Sequence, residues 1–459
     1  MTAPYLRRRA GAAASLALLA GASASAQFDL QLPLQYGWQQ TVANPAALQD
    51  HTITVGLPSA AFGFRTPFTV TDLGEVRDGT LYVDAEQAVN RLDVGGNDQR
   101  FAGAVESLAF NYRGRTWQVG ASHRGRALGH LDLPKGLVQV AAYGNARYVG
   151  QTLEVMPVVN LQAFEEYAVH GALMLKGNLT VGARAKFLRG TAASRTTTAR
   201  AELYTAPDTY ATSLVTDITV HTAGAPVEFG RSGVEVGDVG GIGAAGTGVG
   251  FDLGLVYRHR DHLELGLSLR DFGAVVWSDG TRHRSNGSFD FRGYEGSLFA
   301  DGGRVELDVA GTLDSLLADV EFVDAEESFR TSLPATIQGT ARYALAKNTT
   351  AQATVFAADA DGVWHGGLGI GLGQRFGEWV HVGALAGMNR GGGYLGANLL
   401  VDVYGVQLYA ACDNLVPLFD LSDADAAFVR AGANLAFGRV KPTRKVVGWY
   451  DLKVEGINK

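Results

Sequence analysis

One stretch of the chain has the glycine spacing of a nucleotide-binding loop. Residues 241–246 read Gly-Ile-Gly-Ala-Ala-Gly, and such a loop must follow a strand and open a helix so that a pyrophosphate lies at the helix N-terminus. Here Phe251, Leu253 and Leu255 follow in alternation with Asp252 and Gly254. Because this alternation predicts a strand, we interpret the stretch as a flexible loop and predict no cofactor.

Metal-binding and catalytic patterns receive little support. His259 and His262 flank a charged turn between two alternating segments, and no Cys or second His group stands at ligand spacing to complete a site. Cys412 is the only cysteine and lies on an apolar face, which favours a small buried hydrophobe. A hydrolase needs a nucleophile, a base and an orienting acid in one place, and the sequence shows no local nucleophile motif. We therefore predict no metal, no catalytic residues and no enzymatic activity.

Polar residues with a regular spacing lie between Trp364 and Asp413. In four successive segments one face is wholly apolar, and the opposite face carries glycines together with ring, amide and carboxylate side chains. Period two predicts strands, and roughly nine to ten residues cross a bilayer when tilted. With two cations from an earlier strand, the polar faces supply our candidate lumen-lining residues: Arg184, Lys186, His365, Trp379, His381, Tyr394, Asn398, Asp402, Tyr409 and Asp413.

Two folds could hold such strands. A soluble sandwich buries the apolar face against a second sheet, whereas a membrane barrel turns it to lipid and lines a lumen with the polar face. The N-terminus favours the barrel, because residues 7–9 are arginines followed by a short apolar run and Ala24-Ser25-Ala26, as in a secretory signal peptide. The segment from Arg430 to Phe437 is similar to the terminal strand of bacterial barrels, although residues 438–459 follow it.

We therefore predict an all-β fold, a closed antiparallel transmembrane β-barrel of about 14 strands, within a range of about 12 to 18, with short helices in loops or lumen. Residues 1–26 would be the signal peptide, cleaved near Ala26/Gln27. Residues 27–438 would form the barrel, including an N-terminal lead-in, and residues 439–459 a periplasmic tail. The expected location is the outer membrane of a Gram-negative cell.

Composition is compatible with this architecture. Of 459 residues 46% are hydrophobic and 60 are glycine, yet no apolar run of about 18 residues follows the leader, which argues against transmembrane helices. The net charge of −7 is spread along the chain and offers no basic surface for nucleic acid.

Smaller features refine the prediction. We expect an irregular lead-in up to about residue 64, a short helix at residues 84–92 capped by Asp84, and another helix at residues 313–320. Arg184 and Lys186 should face the lumen, because a cation at the lipid midplane costs about 2 to 4 kcal/mol. Residues 414–427 fit an outer loop and residues 404–405 an inner turn, but this alternation of long and short connections is lost farther upstream.

Several stretches match a known family in order along the chain. They are residues 44–46 (Asn-Pro-Ala), 56–58 (Gly-Leu-Pro), 133–137, 143–145, 180–190, 250–254, 269–273, 333–334 and 413–414. With these stretches the chain resembles a family of uncharacterised outer-membrane β-barrel proteins from Bacteroidota, over nearly the whole mature chain. That family is similar in outline to the long-chain fatty-acid transporter class and to barrels associated with type IX secretion. The resemblance implies the fold and location, and no substrate or catalytic residues.

Two functions fit these expectations. The first is a channel or transporter for a small solute, which could be hydrophobic, through a lumen partly filled by the N-terminal segment and loops; inward glycines would leave it space. The second is a scaffold or accessory barrel of an envelope or type IX secretion system, which would bind a periplasmic partner through the basic tail at residues 439–459. Either protein would contact outer-membrane lipid and the barrel-insertion machinery, and neither would bind nucleic acid.

Overall fold

The computed structural model describes residues 5–7, 37–77, 80–175, 178–224, 228–230, 233–235, 243–260, 262–291, 309–317, 320–360, 362–389, 392–415 and 424–440. The strands are β1 (Tyr5–Arg7), β2 (His51–Arg65), β3 (Gly74–Arg77), β4 (Thr80–Asp84), β5 (Asp98–Arg113), β6 (Trp117–Asp132), β7 (Thr152–Glu154), β8 (Val158–Met174), β9 (Leu179–Thr205), β10 (Thr212–Ala223), β11 (Glu228–Gly230), β12 (Gly233–Glu235), β13 (Gly246–His259), β14 (Leu263–Trp277), β15 (Gly280–Phe291), β16 (Val323–Glu326), β17 (Phe329–Ser332), β18 (Thr336–Ala346), β19 (Thr349–Ala360), β20 (Val363–Phe376), β21 (Val380–Asn389), β22 (Gly392–Val403), β23 (Val406–Cys412) and β24 (Ala426–Arg439). The helices are α1 (Gln40–Ala43), α2 (Val70–Leu73), α3 (Ala85–Arg91), α4 (Lys135–Tyr143) and α5 (Val309–Leu317), with a 3₁₀ turn at Asn145–Tyr148. None of the helices in these ranges is long and apolar enough to cross a membrane.

Fourteen strands close into one antiparallel barrel, as predicted. Around the wall the order is β2, β5, β6, β8, β9, β13, β14, β18, β19, β20, β21, β22, β23 and β24, and β24 pairs with β2 to complete the ring. Closure leaves no edge among these strands, so each backbone N–H and C=O of the wall can bond to a neighbour.

The connections differ in length at the two ends of the barrel. At one end, here called the turn end, consecutive wall strands are joined by residues 114–116, 175–178, 260–262, 347–348, 377–379 and 404–405. At the other, the loop end, five of the connections are long: residues 66–97, 133–157, 206–245, 278–335 and 413–425. The upstream long connections, which the sequence did not assign, therefore lie at the same end as residues 413–425. At this end β19 and β20, and β21 and β22, are separated by only two residues each, 361–362 and 390–391.

The wall separates two environments. Apolar residues on the outer face are solvent-accessible, for example Val105 at 60%, Ile370 at 65% and Leu408 at 57%. Inward neighbours such as Glu166 and Gln407 are buried. An outer surface of this kind is suited to the hydrocarbon of a bilayer. In water, a continuous apolar belt would be exposed at a large cost in free energy.

The first wall strand corrects an expectation. Residues 51–65 form β2, although we expected an irregular lead-in up to about residue 64. Pro58 has no N–H to donate, and the pairing of β2 with β24 shifts register between Gly56 and Ser59. A proline at a strand irregularity is tolerated, so Gly56-Leu57-Pro58 interrupts the ladder without ending the strand.

A second layer of structure covers part of the loop end. β9 is 27 residues long; its first part pairs with β13, and residues 193–205 continue beyond the wall to pair with β10. The cap, defined here as α4, α5, β7, β10 and this extension of β9, has its own apolar core that includes Leu137, Leu203, Leu214 and Leu316. The cap was not predicted, apart from its second helix.

Both predicted helices exist with shifted bounds. α3 begins after Asp84, whose side chain accepts the N–H groups of Glu86 and Gln87 as expected for an N-cap. It ends at Arg91, one residue before the expected bound. α5 covers residues 309–317, and Val320 lies outside it. The short strand β1, within the predicted leader, pairs with β4.

Candidate functional site

The N-terminal segment, residues Gly37–Gln49, lies inside the barrel. Trp38 is 2% exposed and Ala46 is 0% exposed, and α1 gives the segment one helical turn. The segment was expected to fill part of the lumen, and for residues 37–49 this is confirmed. Residues 27–36 of the predicted lead-in lie outside the described ranges.

One side of the N-terminal segment packs on glycines of the wall. The Asn44 amide donates to the backbone oxygens of Leu255, at 3.1 Å, and Leu267, at 3.3 Å. A Cβ on Gly182 would lie 2.5 Å from the Ala46 nitrogen, and one on Gly254 would lie 2.8 Å from the same atom. Because atoms do not approach so closely, both positions need glycine for the Asn-Pro-Ala turn to contact the wall.

Polar side chains hold the remainder of the N-terminal segment. Gln39 and Asn434 exchange amide hydrogen bonds of 2.9 and 3.2 Å. The Gln118 amide accepts the Gln49 N–H at 2.9 Å and donates to the Ala47 oxygen at 3.3 Å. The Arg184 guanidinium donates to the backbone and hydroxyl oxygens of Thr41, both at 3.2 Å. These hydrogen bonds therefore attach the segment at one level of the lumen. Most of the wall residues that form them lie three to five residues from the turn end of their strands.

A charge cluster lies nearer the loop end, on the strands β6, β8, β9, β13 and β14. It consists of three cations and three carboxylates: Arg124, Arg126, Lys186, Glu166, Asp252 and Asp271. The Arg124 guanidinium binds Glu166 through two hydrogen bonds of 2.9 Å, and Arg126 bridges Glu166 at 3.3 Å and Asp271 at 2.8 Å. The formal charges balance, which buried ions require.

Lys186 completes the cluster. Its ammonium lies 2.5 Å from Asp252 and 2.6 Å from Asp271, and its side chain is 1% exposed. The Asp252 carboxylate also accepts the Asp271 N–H at 2.7 Å, at a residue whose φ is +56°. The cluster thus fixes the irregular backbone of β14.

Arg184 and Lys186 are buried on the inner face of the wall, and their partners were not identified from the sequence. Strand alternation places Glu166 and Asp252 inward, but it does not show which residues of separate strands meet. The pairing register decides this, since β9 lies between β8 and β13.

Glycines on the opposite side of the barrel have a different role. We call strands β19–β23 the glycine half and strands β5–β14 of the wall the charged half. A Cβ on Gly387 would overlap the Tyr394 phenol, and one on Gly383 would lie 2.7 Å from the Asn398 amide. We expected inward glycines to leave open space in the lumen. These two do not, because each accommodates a side chain of the next strand.

The other predicted lumen residues mostly face inward. His381, Asp402, Tyr409 and Asp413 are buried, and Asp402 accepts a hydrogen bond of 2.9 Å from Gln407. His365, Tyr394 and Asn398 also lie on the inner face, by their alternation with exposed neighbours. These residues are spread over four strands, with Asp413 just after β23, and form no single constellation.

Trp379 is the exception, and its assignment to the lumen is wrong. It precedes β21 in the turn at residues 377–379 and is 59% exposed, with its ring 6.3 Å from that of Tyr404. The alternation was extended one residue beyond the strand. Aromatic residues at such a position commonly lie at the membrane–water interface.

The described residues contain no group of three or more His, Cys, Asp or Glu side chains that could hold a metal ion. The carboxylates of the charge cluster are already neutralised by guanidinium and ammonium groups. What the lumen offers is a polar cross-section, obstructed by a segment that is hydrogen-bonded to the wall.

The fold and lumen define a barrel of the membrane-spanning type with an internal N-terminal segment. Residues 45–413 match the family of unknown function DUF5723, and the chain belongs to that family. No curated protein matches the chain.

Solved structures with a similar fold include two toluene transporters and a FadL homologue. The Pseudomonas putida toluene transporter TodX has a TM-score of 0.42 and 10% identity, covering 92% of this chain and 96% of that one. The Ralstonia pickettii toluene transporter TbuX has a TM-score of 0.42 and 11% identity, covering 87% and 94%. A Pseudomonas aeruginosa FadL homologue has a TM-score of 0.42 and 11% identity, covering 86% and 92%. At these identities the similarity concerns the fold alone.

Proposed function

We propose that the protein is an outer-membrane channel for a small solute of hydrophobic character, closed at rest by the N-terminal segment and without enzymatic activity. The turn end would face the periplasm and the loop end the exterior, as is usual for barrels with short periplasmic turns. The observation that carries the proposal is the segment itself, which occupies the lumen through hydrogen bonds to the wall.

The binding of the segment favours displacement over a fixed structural role. Its polar contacts are hydrogen bonds between uncharged groups or to the Arg184 guanidinium, and each contributes about 0.5–1.5 kcal/mol, or somewhat more with a charged donor. Such bonds can be exchanged for bonds to water when the segment moves. A segment whose only role was to stabilise the barrel would more readily be held in the lumen by apolar packing.

Hydrophobic character is supported by the lumen beyond the charge cluster. Towards the loop end the inner face carries Phe164, Leu188, Val275 and Trp277, which form one apolar cluster. A solute that enters from the loop end therefore meets apolar side chains before the charges.

The test is to displace the segment with a single methyl-bearing side chain. Gly182→Val would place atoms within the volume of Pro45 and Ala46, so the segment must leave the wall. We expect uptake of toluene into liposomes, and ion conductance, to rise at least about tenfold, because removal of the obstruction lowers the barrier by more than about 1.4 kcal/mol.

Gly103→Val is the matched control, because no atom lies within 4 Å of a Cβ at Gly103 and this residue is on the outer face. Toluene uptake by this variant should equal that of the unaltered protein. Glucose uptake is measured in parallel as the polar probe. If Gly182→Val forms a folded barrel that passes neither toluene, glucose nor ions, the channel proposal is refuted. The scaffold alternative would then remain, based on a tail whose residues 441–459 lie outside the described ranges.

A further inference from the structure

A groove of about 700 Å³ runs along the outer face of the wall. Its walls are the large apolar side chains of β9, β13 and β14, and its base is made of small residues. Its lining includes Phe187, Val249, Phe251, Phe272, Arg330 and Asp359.

The groove exists because β14 changes partner. Residues 274–277 pair with β17 and residues 263–270 pair with β18. Between them, residues 333–335 belong to no strand, and the Leu333 N–H donates to the Gly273 oxygen at 3.0 Å. The wall here has backbone and Ala335 where a regular strand would present a row of side chains.

Glycine deepens the depression. A Cβ on Gly273 would lie 2.6 Å from the Gly250 Cα, so this position tolerates no side chain. Phe251 and Phe272 pair in register and are about half exposed, and with ring centroids 5.5 Å apart they form one aromatic ridge beside the depression. The outer face therefore has a depression that lies beside an aromatic ridge.

Two opposite charges lie at the end of the groove nearer the loops. Arg330 is exposed and pairs in register with Val276, so both side chains are on the outer face. Asp359 is near the end of β19 and accepts the Gly362 N–H at 2.9 Å. An apolar trough that ends in a cation and an anion matches an amphiphile with an alkyl chain and a zwitterionic headgroup.

We propose that this groove is a specific site for a membrane phospholipid with a phosphate and an ammonium group. One acyl chain would lie in the depression beside this ridge, the phosphate would bind the Arg330 guanidinium and the ammonium would approach the Asp359 carboxylate. The proposal rests on the barrel lying in a bilayer, and not on transport through the lumen.

The probe is phosphatidylethanolamine, added to the full chain purified in detergent, and bound lipid is counted by native mass spectrometry. We expect one lipid to remain on the unaltered protein. Val249→Trp, which fills the groove, and Arg330→Gln, which removes the cation, should each lower occupancy at least about fivefold. Val169→Trp is the control, because Val169 is exposed to a similar degree on the outer face of β8, 60% against 67% for Val249.

Several results would overturn the site. Loss of all lipid from the unaltered protein, or equal retention by all four proteins, would show that the groove holds no specific lipid. Equal binding of phosphatidylglycerol would refute the zwitterionic headgroup. If Val249→Trp lowered toluene uptake and left lipid occupancy unchanged, the groove would belong to the solute path. Toluene uptake and lipid occupancy are separate measurements, so a failed channel proposal leaves this test intact.

Discussion

The charged half and the glycine half of the barrel fill their interior by opposite means. In the charged half, long side chains from strands that are not all neighbours meet in ion pairs, and the N-terminal segment packs against the same strands. In the glycine half, a large side chain from one strand lies over a glycine of the adjacent strand, as Tyr394 does over Gly387. One arrangement depends on contacts across the lumen, and the other on neighbours in the ladder.

This difference predicts where the barrel is most sensitive. A buried ion depends on a partner from another strand, so its loss leaves a desolvated charge. A side chain over a glycine depends on space and can move to another rotamer. The following predictions are ordered from the largest expected effect to the smallest.

Removing a carboxylate from the charge cluster should have the largest effect. Glu166→Gln leaves the buried Arg124 and Arg126 without their shared anion, and we expect a loss of about 3–5 kcal/mol in the free energy of unfolding. The adjacent Glu165→Gln is the control, because Glu165 pairs with Arg189 at a site about 30% exposed and should lose less than about 1 kcal/mol. Urea titrations followed by tryptophan fluorescence would measure both, and equal losses would contradict the contrast between a buried and a partly exposed ion pair.

Filling a glycine position in the other half should cost less. Gly387→Ala forces the Tyr394 ring to move, and we expect about 1–3 kcal/mol of destabilisation by the same titration. Gly366→Ala is the control, since its Cβ would lie 3.4 Å from the nearest atom, the Phe356 oxygen. Combining Gly387→Ala with Tyr394→Ala should cost less than the sum of the two single changes. Additive losses would show that the two residues do not share the same space.

Weakening the attachment of the N-terminal segment should have a local effect. Gln118→Leu removes the bonds to Ala47 and Gln49, each contributing about 0.5–1.5 kcal/mol. Hydrogen exchange of the Gln49 amide should accelerate roughly fivefold, whereas Gln352→Leu in the glycine half should leave it unchanged. Equal exchange in both variants would mean that the segment is held mainly by its contacts elsewhere.

The smallest effect concerns the cap above the charged half. Burial is the largest influence on the Glu154 carboxyl and raises its pKa above the ordinary 4.5, although the Ala201 N–H bound to it acts in the opposite direction. Because the folded cap then binds a proton more readily than the unfolded chain, its stability should fall as pH rises from about 4.5 through the raised pKa. Glu154→Gln should flatten this dependence. Protease resistance of the cap between pH 4 and pH 8 would measure it, and an unchanged slope in the variant would assign the dependence to other groups.

Local patterns revealed much of this architecture. The alternation in β20–β24, the turn at residues 259–262, the helix after Asp84 and the inward direction of Arg184 and Lys186 all follow from spacing alone. β2 was missed because Pro58 is a poor strand residue in isolation, and only its place at a shift in pairing register makes it acceptable. Trp379 was misplaced because alternation does not define the residue at which a strand begins.

By itself the sequence determined that the strands have one apolar and one polar face, because side chains alternate with a period of two whatever the partner. Only the tertiary structure decided which inward groups meet, because closure of the wall sets the register that brings Glu166 to Arg124 and Lys186 to both Asp252 and Asp271. It also decided what the glycines do. Their lack of a side chain is a property of the chain, but whether the freed volume admits a neighbouring ring, the N-terminal segment or nothing depends on the strand across from each one.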